Sequence, residues 1–121
     1  MSNEVKVVAL EDVAKIDLPG GSWSRMLLNS ATLTSNLSAL GYSIFKPGTT
    51  TSPVSHQVEE LAYVVSGKGE LRLDEDVVTY GAGDALFIPA HTWHAVANTG
   101  SEDMIMVFIF PYPDYPPTER R

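Results

Sequence analysis

A chain of 121 residues, 44% of them hydrophobic, is the size of one globular domain, and it contains no apolar run long enough to cross a bilayer. Its formal charge of −7 and its scattered Lys and Arg residues argue against a nucleic-acid or anionic-membrane partner, because neutralising phosphates requires clustered basic residues. The absence of cysteine excludes disulfides and thiolate ligands, so any metal must be held by histidine, carboxylate or water. The first residues lack the apolar stretch of a signal peptide, and we expect a cytoplasmic protein.

Short apolar or alternating segments recur along the chain, separated by turns rich in Gly, Pro, Asn and Asp. The predicted strands, in chain order, are Val5–Leu10, Trp23–Leu28, Asn36–Lys46, Leu61–Ser66, Glu70–Leu73, Val77–Tyr80, Ala85–Ile88, Thr92–Ala97 and Met104–Phe110. Only Glu11–Ile16 indicates a helical turn. Many short strands at this spacing are typical of an all-β sandwich or barrel.

The predicted last strand, Met104–Phe110, has apolar residues on both faces. One face would line the barrel interior, and the other indicates a subunit interface, because a monomer rarely exposes such a face. We therefore expect a homodimer. Residues 111–121 are rich in Pro and Tyr, so they cannot continue a ladder. They are expected to form an extended tail that is either disordered or packed against its own barrel or a partner subunit.

The three histidines of the chain are His56, His91 and His94. Together with Glu60, two of them offer the set of two imidazoles and one carboxylate that suits iron(II) and neighbouring divalent metals. Such a set leaves positions open for substrate or oxygen. On a straight strand His56 and Glu60 would stand about 13 Å apart, too far to share one ion. The segment must therefore be helical or bent, and a bend around 57–59 agrees with the strand-like residues that follow.

Two motifs resemble those of the cupin family. The first cupin motif runs as glycine, five residues, His-x-His, three or four residues, Glu, six residues and glycine; it is matched by Gly48, His56, Glu60 and Gly67. The second runs as glycine, five residues, proline, x, glycine, two residues, histidine, three residues and asparagine; it is matched by Gly83, Pro89, His94 and Asn98. The resemblance spans roughly residues 41–110 and implies an all-β cupin barrel of the double-stranded β-helix or jelly-roll type. Residues 1–30 would then complete the barrel or a dimer interface, 31–110 would form its core, and 111–121 would be the tail.

The chain departs from the cupin motifs at two positions. Val54 stands where the first histidine of His-x-His is usual, so the resemblance implies a three-ligand metal site of His56, Glu60 and His94. Losing a ligand is also typical of a cupin that no longer binds metal, but the three remaining ligands form a complete facial triad. His91 stands where the second motif has glycine, and a turn residue with left-handed backbone is the favoured interpretation.

Groups other than the ligands are needed to bind and convert a substrate. On the strand before Gly48, either Tyr42 and Ile44 or Ser43 and Phe45 face the interior, and Tyr42 is our candidate catalytic residue there. The second candidate catalytic residue is His91. Either Arg25 or Arg72 could hold a substrate carboxylate through a bidentate pair, although arginine is more often a surface residue.

Three functions fit these residues. The first is a non-heme iron type oxygenase or dioxygenase acting on a small organic molecule, with Fe(II) favoured and Mn, Ni or Zn also compatible with the ligands. The second is an isomerase, lyase or cyclase that uses the metal as a Lewis acid. The third is a non-catalytic cupin that binds a sugar or organic acid. The absence of the first motif histidine, at Val54, slightly favours the oxygenase over the other two functions.

Overall fold

The computed structural model describes residues 5–121. Over this range the chain forms eleven β-strands, which we number in chain order: β1 Ile16–Asp17, β2 Trp23–Leu28, β3 Ala39–Phe45, β4 Val54–His56, β5 Glu60–Ser66, β6 Lys68–Arg72, β7 Val77–Gly81, β8 Ala85–Ile88, β9 Ala95–Asn98, β10 Met104–Phe110 and β11 Thr118–Arg120. Two single-turn 3-10 helices lie at Leu10–Asp12 and Pro19–Gly21. The prediction of an all-β protein is confirmed. No helix in the described part of the chain is long and apolar enough to cross a membrane.

The strands form two facing layers of antiparallel sheet. The larger sheet has the order β1-β2-β3-β10-β5-β8, and the smaller has the order β7-β6-β9. The pair β4–β11 extends the smaller layer, because two isolated bridges join Thr50 to Ala97 and Val54 to His94. The layers enclose one apolar core.

Strand β10 at the centre of the larger sheet supplies much of this core. Met104, Met106, Phe108 and Phe110 point inward and are buried, as the alternation of the sequence predicts. The ring of Phe108 lies over Gly41 on the neighbouring strand, so closely that an added Cβ would stand 2.1 Å from a ring carbon. Glycine at this position therefore makes room for an aromatic side chain in the barrel interior.

The opposite face of the larger sheet is also apolar. Its side chains from three neighbouring strands are between 36% and 61% exposed: Leu61, Tyr63, Val65, Phe87 and Ile109. Register places Leu61 between Phe87 and Ile109, so these side chains form one continuous patch, which we call the outer face.

Both ends of the chain differ from the prediction. The expected strand Val5–Leu10 does not form: residues 5–9 have no regular structure, and Val5 and Val7 are 92% and 94% exposed. The helical turn expected over Glu11–Ile16 is confined to Leu10–Asp12, and the sheet edge is taken instead by β1. At the other end the tail packs against its own barrel, which is one of the alternatives left open, and Thr118–Arg120 forms an additional strand, β11, against β4.

Candidate metal centre

The three predicted ligands come together at one point of the barrel. His56 ends β4, Glu60 begins β5, and His94 directly precedes β9. The predicted bend between the first two is therefore confirmed, and it brings side chains that a straight strand would hold about 13 Å apart into contact. Val54 and His94 exchange both backbone hydrogen bonds at 2.9 Å, which fixes the third ligand beside β4.

The three side chains form a compact cluster of donors. Oε1 of Glu60 lies 3.3 Å from Nε2 of His56 and 3.5 Å from Nε2 of His94. One donor atom from each residue lies within 4.8 Å of the others, and both histidines are buried. Two ligands at right angles around an ion with bonds of about 2.1 Å stand roughly 3.0 Å apart. The two distances from Glu60 exceed this value by only a few tenths of an ångström, so the cluster is compatible with a single divalent ion.

Hydrogen bonds fix which nitrogen of each imidazole is free. Nδ1 of His94 lies 2.8 Å from the carbonyl oxygen of Thr92, which can only accept. Nδ1 of His56 lies 2.7 Å from the hydroxyl of Thr118, and that hydroxyl donates its proton to the carbonyl of Pro116 at 2.8 Å. Both imidazoles therefore carry a proton on Nδ1 and turn Nε2 towards Glu60, where a metal ion would replace the proton of the Nε2–Glu60 hydrogen bond. This is the arrangement in which a histidine binds metal.

The protonation states of Glu60 and His94 depend on each other. Burial alone would raise the pKa of Glu60, but hydrogen bonds from His56 and His94 outweigh it, and the pKa is lowered from 4.5. Burial would likewise lower the pKa of His94, but its bonds to Glu60 and to the Thr92 carbonyl raise that pKa above 6.5. A metal ion at this site therefore competes with a proton on His94, and the ionised carboxylate is available to it.

The cluster lines a cavity of about 320 Å³. Its apolar lining includes four aromatic side chains, Phe45, Phe108, Phe110 and Tyr115, beside aliphatic ones such as Val96 and Met106. Tyr115 belongs to the tail, and its ring stands edge-on to His56 with centroids 5.5 Å apart. A cavity of this size and lining can hold a small, flat organic molecule next to the three donors.

The structure does not bring the two candidate catalytic residues to the cluster. Tyr42 lies on the outward side of β3, where its ring centroid is 6.0 Å from that of Trp23, while Ser43 and Phe45 line the cavity. Alternation alone left open whether Tyr42 or Ser43 faces the interior. The register of β3 against β10 decides this, because it places Tyr42 opposite Val107. His91 has φ of 62°, as the turn interpretation requires, and its side chain is exposed and absent from the cavity lining.

The candidate arginines have structural contacts instead. Arg25 donates to the carbonyl of Leu10 at 2.6 Å and lies over the ring of Trp23. Arg72 pairs with Glu70 at 3.0 Å on the surface. Neither residue lines the cavity.

Three residues of the tail that contribute to the site were not predicted from the sequence: Tyr115, Thr118 and Arg120. Tyr115 and Arg120 line the cavity, and Thr118 bonds to His56. The only signal in the sequence was the pair of tyrosines, which suggested packing against the barrel without indicating where.

Comparison with known proteins agrees with this fold. A model of the cupin domain matches residues 41–110. The chain is 33% identical to the polyketide synthase CurC of Streptomyces cyaneus over 85% of its own length and 67% of that protein. Over 57% of its own length, this chain is 32% identical to a 5-nitrosalicylic acid 1,2-dioxygenase of Bradyrhizobium. The matched part corresponds to 33% of that enzyme.

Among solved structures, the polyketide cyclase RemF of Streptomyces resistomycificus superposes with a TM-score of 0.79 at 23% identity, over 97% of this chain and 85% of that one. At this identity the likeness concerns the fold. The family match covers more than half of the chain and includes both sequence motifs. The chain belongs to the cupin family.

Proposed function

We propose that this cupin is a metal-dependent cyclase that acts on an enolisable, polyketide-like carbonyl compound. The observation that carries the proposal is the cluster of His56, Glu60 and His94 in a cavity lined in part by aromatic side chains. The name of a relative over most of the chain, the polyketide synthase CurC, supports the substrate class.

Ring closure of such a compound is an aldol reaction without redox change. A proton leaves the carbon next to one carbonyl, a carbon–carbon bond forms to a second carbonyl carbon, and the oxygen of that carbonyl becomes a hydroxyl. A metal ion held by the three side chains would supply a Lewis acid that polarises a carbonyl.

The residues of the chain itself contribute position and shielding. The aromatic side chains Phe108 and Phe110 exclude water and give a flat substrate a surface to lie on. The carbonyl of Thr92 and the hydroxyl of Thr118 hold the imidazoles in one tautomer.

Proton exchange at a ketone tests this function without knowledge of the natural substrate. The aryl ketone 2-acetonaphthone is incubated in D₂O without oxygen, and loss of its methyl proton signal is followed by NMR. We expect the metal-loaded protein to accelerate exchange and Glu60→Gln not to do so. Equal exchange rates with the wild type, the variant and buffer would contradict a cyclase.

A dioxygenase is the second candidate. His56, Glu60 and His94 would hold an iron ion with three ligands and would leave positions open to oxygen, since Val54 stands where a fourth ligand is usual. A relative over about half of the chain is named as a dioxygenase of a hydroxylated aromatic acid. With iron(II) bound, this function predicts oxygen uptake on addition of salicylate in an oxygen electrode, whereas the cyclase predicts none. Iron, manganese, nickel and zinc all accept these ligands, and iron(II) is favoured only for the dioxygenase.

We also propose that the protein is a homodimer joined through the outer face. Exposed Tyr63 and Phe87 belong to a patch that a monomer would leave in water. Phe87→Glu is expected to weaken the dimer at least about tenfold in light scattering coupled to size exclusion. The matched control is Val77→Glu, which changes an exposed apolar residue of the smaller sheet and is expected to leave the dimer intact. A wild type that is monomeric at every concentration would contradict the proposal.

The cytoplasmic location stays a prediction from the sequence.

A further inference from the structure

Strand β11 places a basic side chain in the wall of the cavity. Its register against β4 pairs Thr118 with His56 and Arg120 with Val54. Side chains alternate along a strand, so Arg120 lies on the same face as Thr118, and it lines the cavity together with Val54 and His56.

Arg120 is not neutralised by a carboxylate. Within the described range, the arginine salt bridges join Arg72 to Glu70 and Arg121 to Asp74, and Arg120 takes part in none. Its side chain lies near the hydroxyl of Tyr115, an aromatic residue of the same cavity. The guanidinium is exposed and retains donors that this contact does not use.

The charge of Arg120 has no equivalent elsewhere in the cavity wall. Among the described residues that line the cavity, Arg120 is the one Lys or Arg, and the other charged side chains are the acidic Asp17 and Glu60. Its cross-strand neighbour is Val54, which stands where the first cupin motif usually has a histidine. The guanidinium of Arg120 therefore belongs to the residue next to Val54, the position at which a cupin usually has a metal-ligating histidine.

We propose that Arg120 is a specificity-determining residue that binds an ionised oxygen of the substrate, either a carboxylate or the oxygen of an acidic enol or phenol. The inference rests on the proposed function in that it takes this cavity as the substrate site. A guanidinium recognises such an oxygen through charge-assisted hydrogen bonds, while the aromatic wall holds the apolar body of the molecule. The substrate class is therefore a flat, apolar molecule with one acidic oxygen.

The test compares two ligands of the same shape that differ in charge, 2-naphthoate and 2-naphthamide, by calorimetry on the full-length protein as purified. We expect the wild type to prefer 2-naphthoate, and Arg120→Gln to weaken its binding about tenfold while the affinity for 2-naphthamide stays the same. The matched control is Arg121→Gln, which removes the same charge one residue away, from a side chain paired with Asp74. It is expected to bind both ligands as the wild type does.

Three results would overturn the proposal: equal affinity of Arg120→Gln and the wild type for 2-naphthoate, equal weakening by Arg121→Gln, or no binding of 2-naphthoate to the wild type at millimolar concentration. Metal content is measured in the same samples. A wild type that neither contains metal nor takes it up would contradict the proposed function. The comparison of the two arginine variants tests the role of Arg120 separately.

Discussion

Glu60→Gln is expected to lower the affinity of the protein for a divalent ion by more than about 100-fold, while the barrel stays folded. Glu60 is the carboxylate that faces both Nε2 atoms, and glutamine has the same shape without the charge. His94→Ala is expected to have an effect of the same size, because it removes one of three donors. Metal titration followed by calorimetry measures the affinity, and far-ultraviolet circular dichroism checks the fold.

The matched control for the loss of a carboxylate is Glu59→Gln, which changes the exposed neighbour of Glu60. It is expected to bind metal as the wild type does. If Glu60→Gln also bound metal with wild-type affinity, the ion would have to be held elsewhere.

Thr118→Val is expected to weaken metal binding by about 10- to 100-fold, although Thr118 does not face the ion. The hydroxyl accepts the Nδ1 proton of His56 at 2.7 Å, and valine has the same shape without an acceptor. Valine also favours a strand, so β11 is expected to persist against β4. Thr118→Ser keeps the hydroxyl and is expected to restore most of the affinity.

A spectroscopic measurement separates this positioning role from a general loss of structure. In the zinc-loaded protein, ¹⁵N chemical shifts of the imidazoles report which nitrogen carries the proton. We expect His56 to be protonated on Nδ1 in the wild type and in Thr118→Ser, and to lose this fixed tautomer in Thr118→Val. Identical His56 shifts and identical metal affinity in Thr118→Val would show that the hydroxyl does not position the ligand.

The barrel and the three clustered side chains could be predicted from the sequence because both depend on local patterns. The alternation of Met104–Phe110 indicates which of its side chains point inward, and the match to the two cupin motifs implies that His56, Glu60 and His94 meet. In both cases the signal lies in residues close in sequence, and the family resemblance supplies the pairing of the two distant motifs.

The remaining elements depend on which distant segments pair. Val5 and Val7 alternate as a strand would, but alternation produces a strand only where a sheet edge is available, and β1 occupies that edge of β2. Tyr42 was preferred over Ser43 without knowledge of the register against β10, which turns Tyr42 outward. A one-residue change of register exchanges the two faces of a strand, so the sequence of β3 alone could not decide between them.

The tail, residues 111–121, is a second region whose structure could not be predicted from its own sequence. Thr118–Arg120 is short, polar and preceded by prolines, so it has the composition of a loose terminus. It becomes a strand only because the folded barrel presents the free edge of β4 to it. The consequence is functional, since this strand carries the hydroxyl bonded to His56 and the guanidinium in the cavity wall.

Elemental analysis of the purified wild-type protein tests most directly the central claim that His56, Glu60 and His94 hold one metal ion. Mass spectrometry of the acid-digested protein gives the ratio of each divalent metal to the chain, before and after dialysis against excess metal. The arrangement of the three donors predicts a ratio of one ion per chain in the loaded protein. A loaded protein that retains no iron, manganese, nickel or zinc would contradict it.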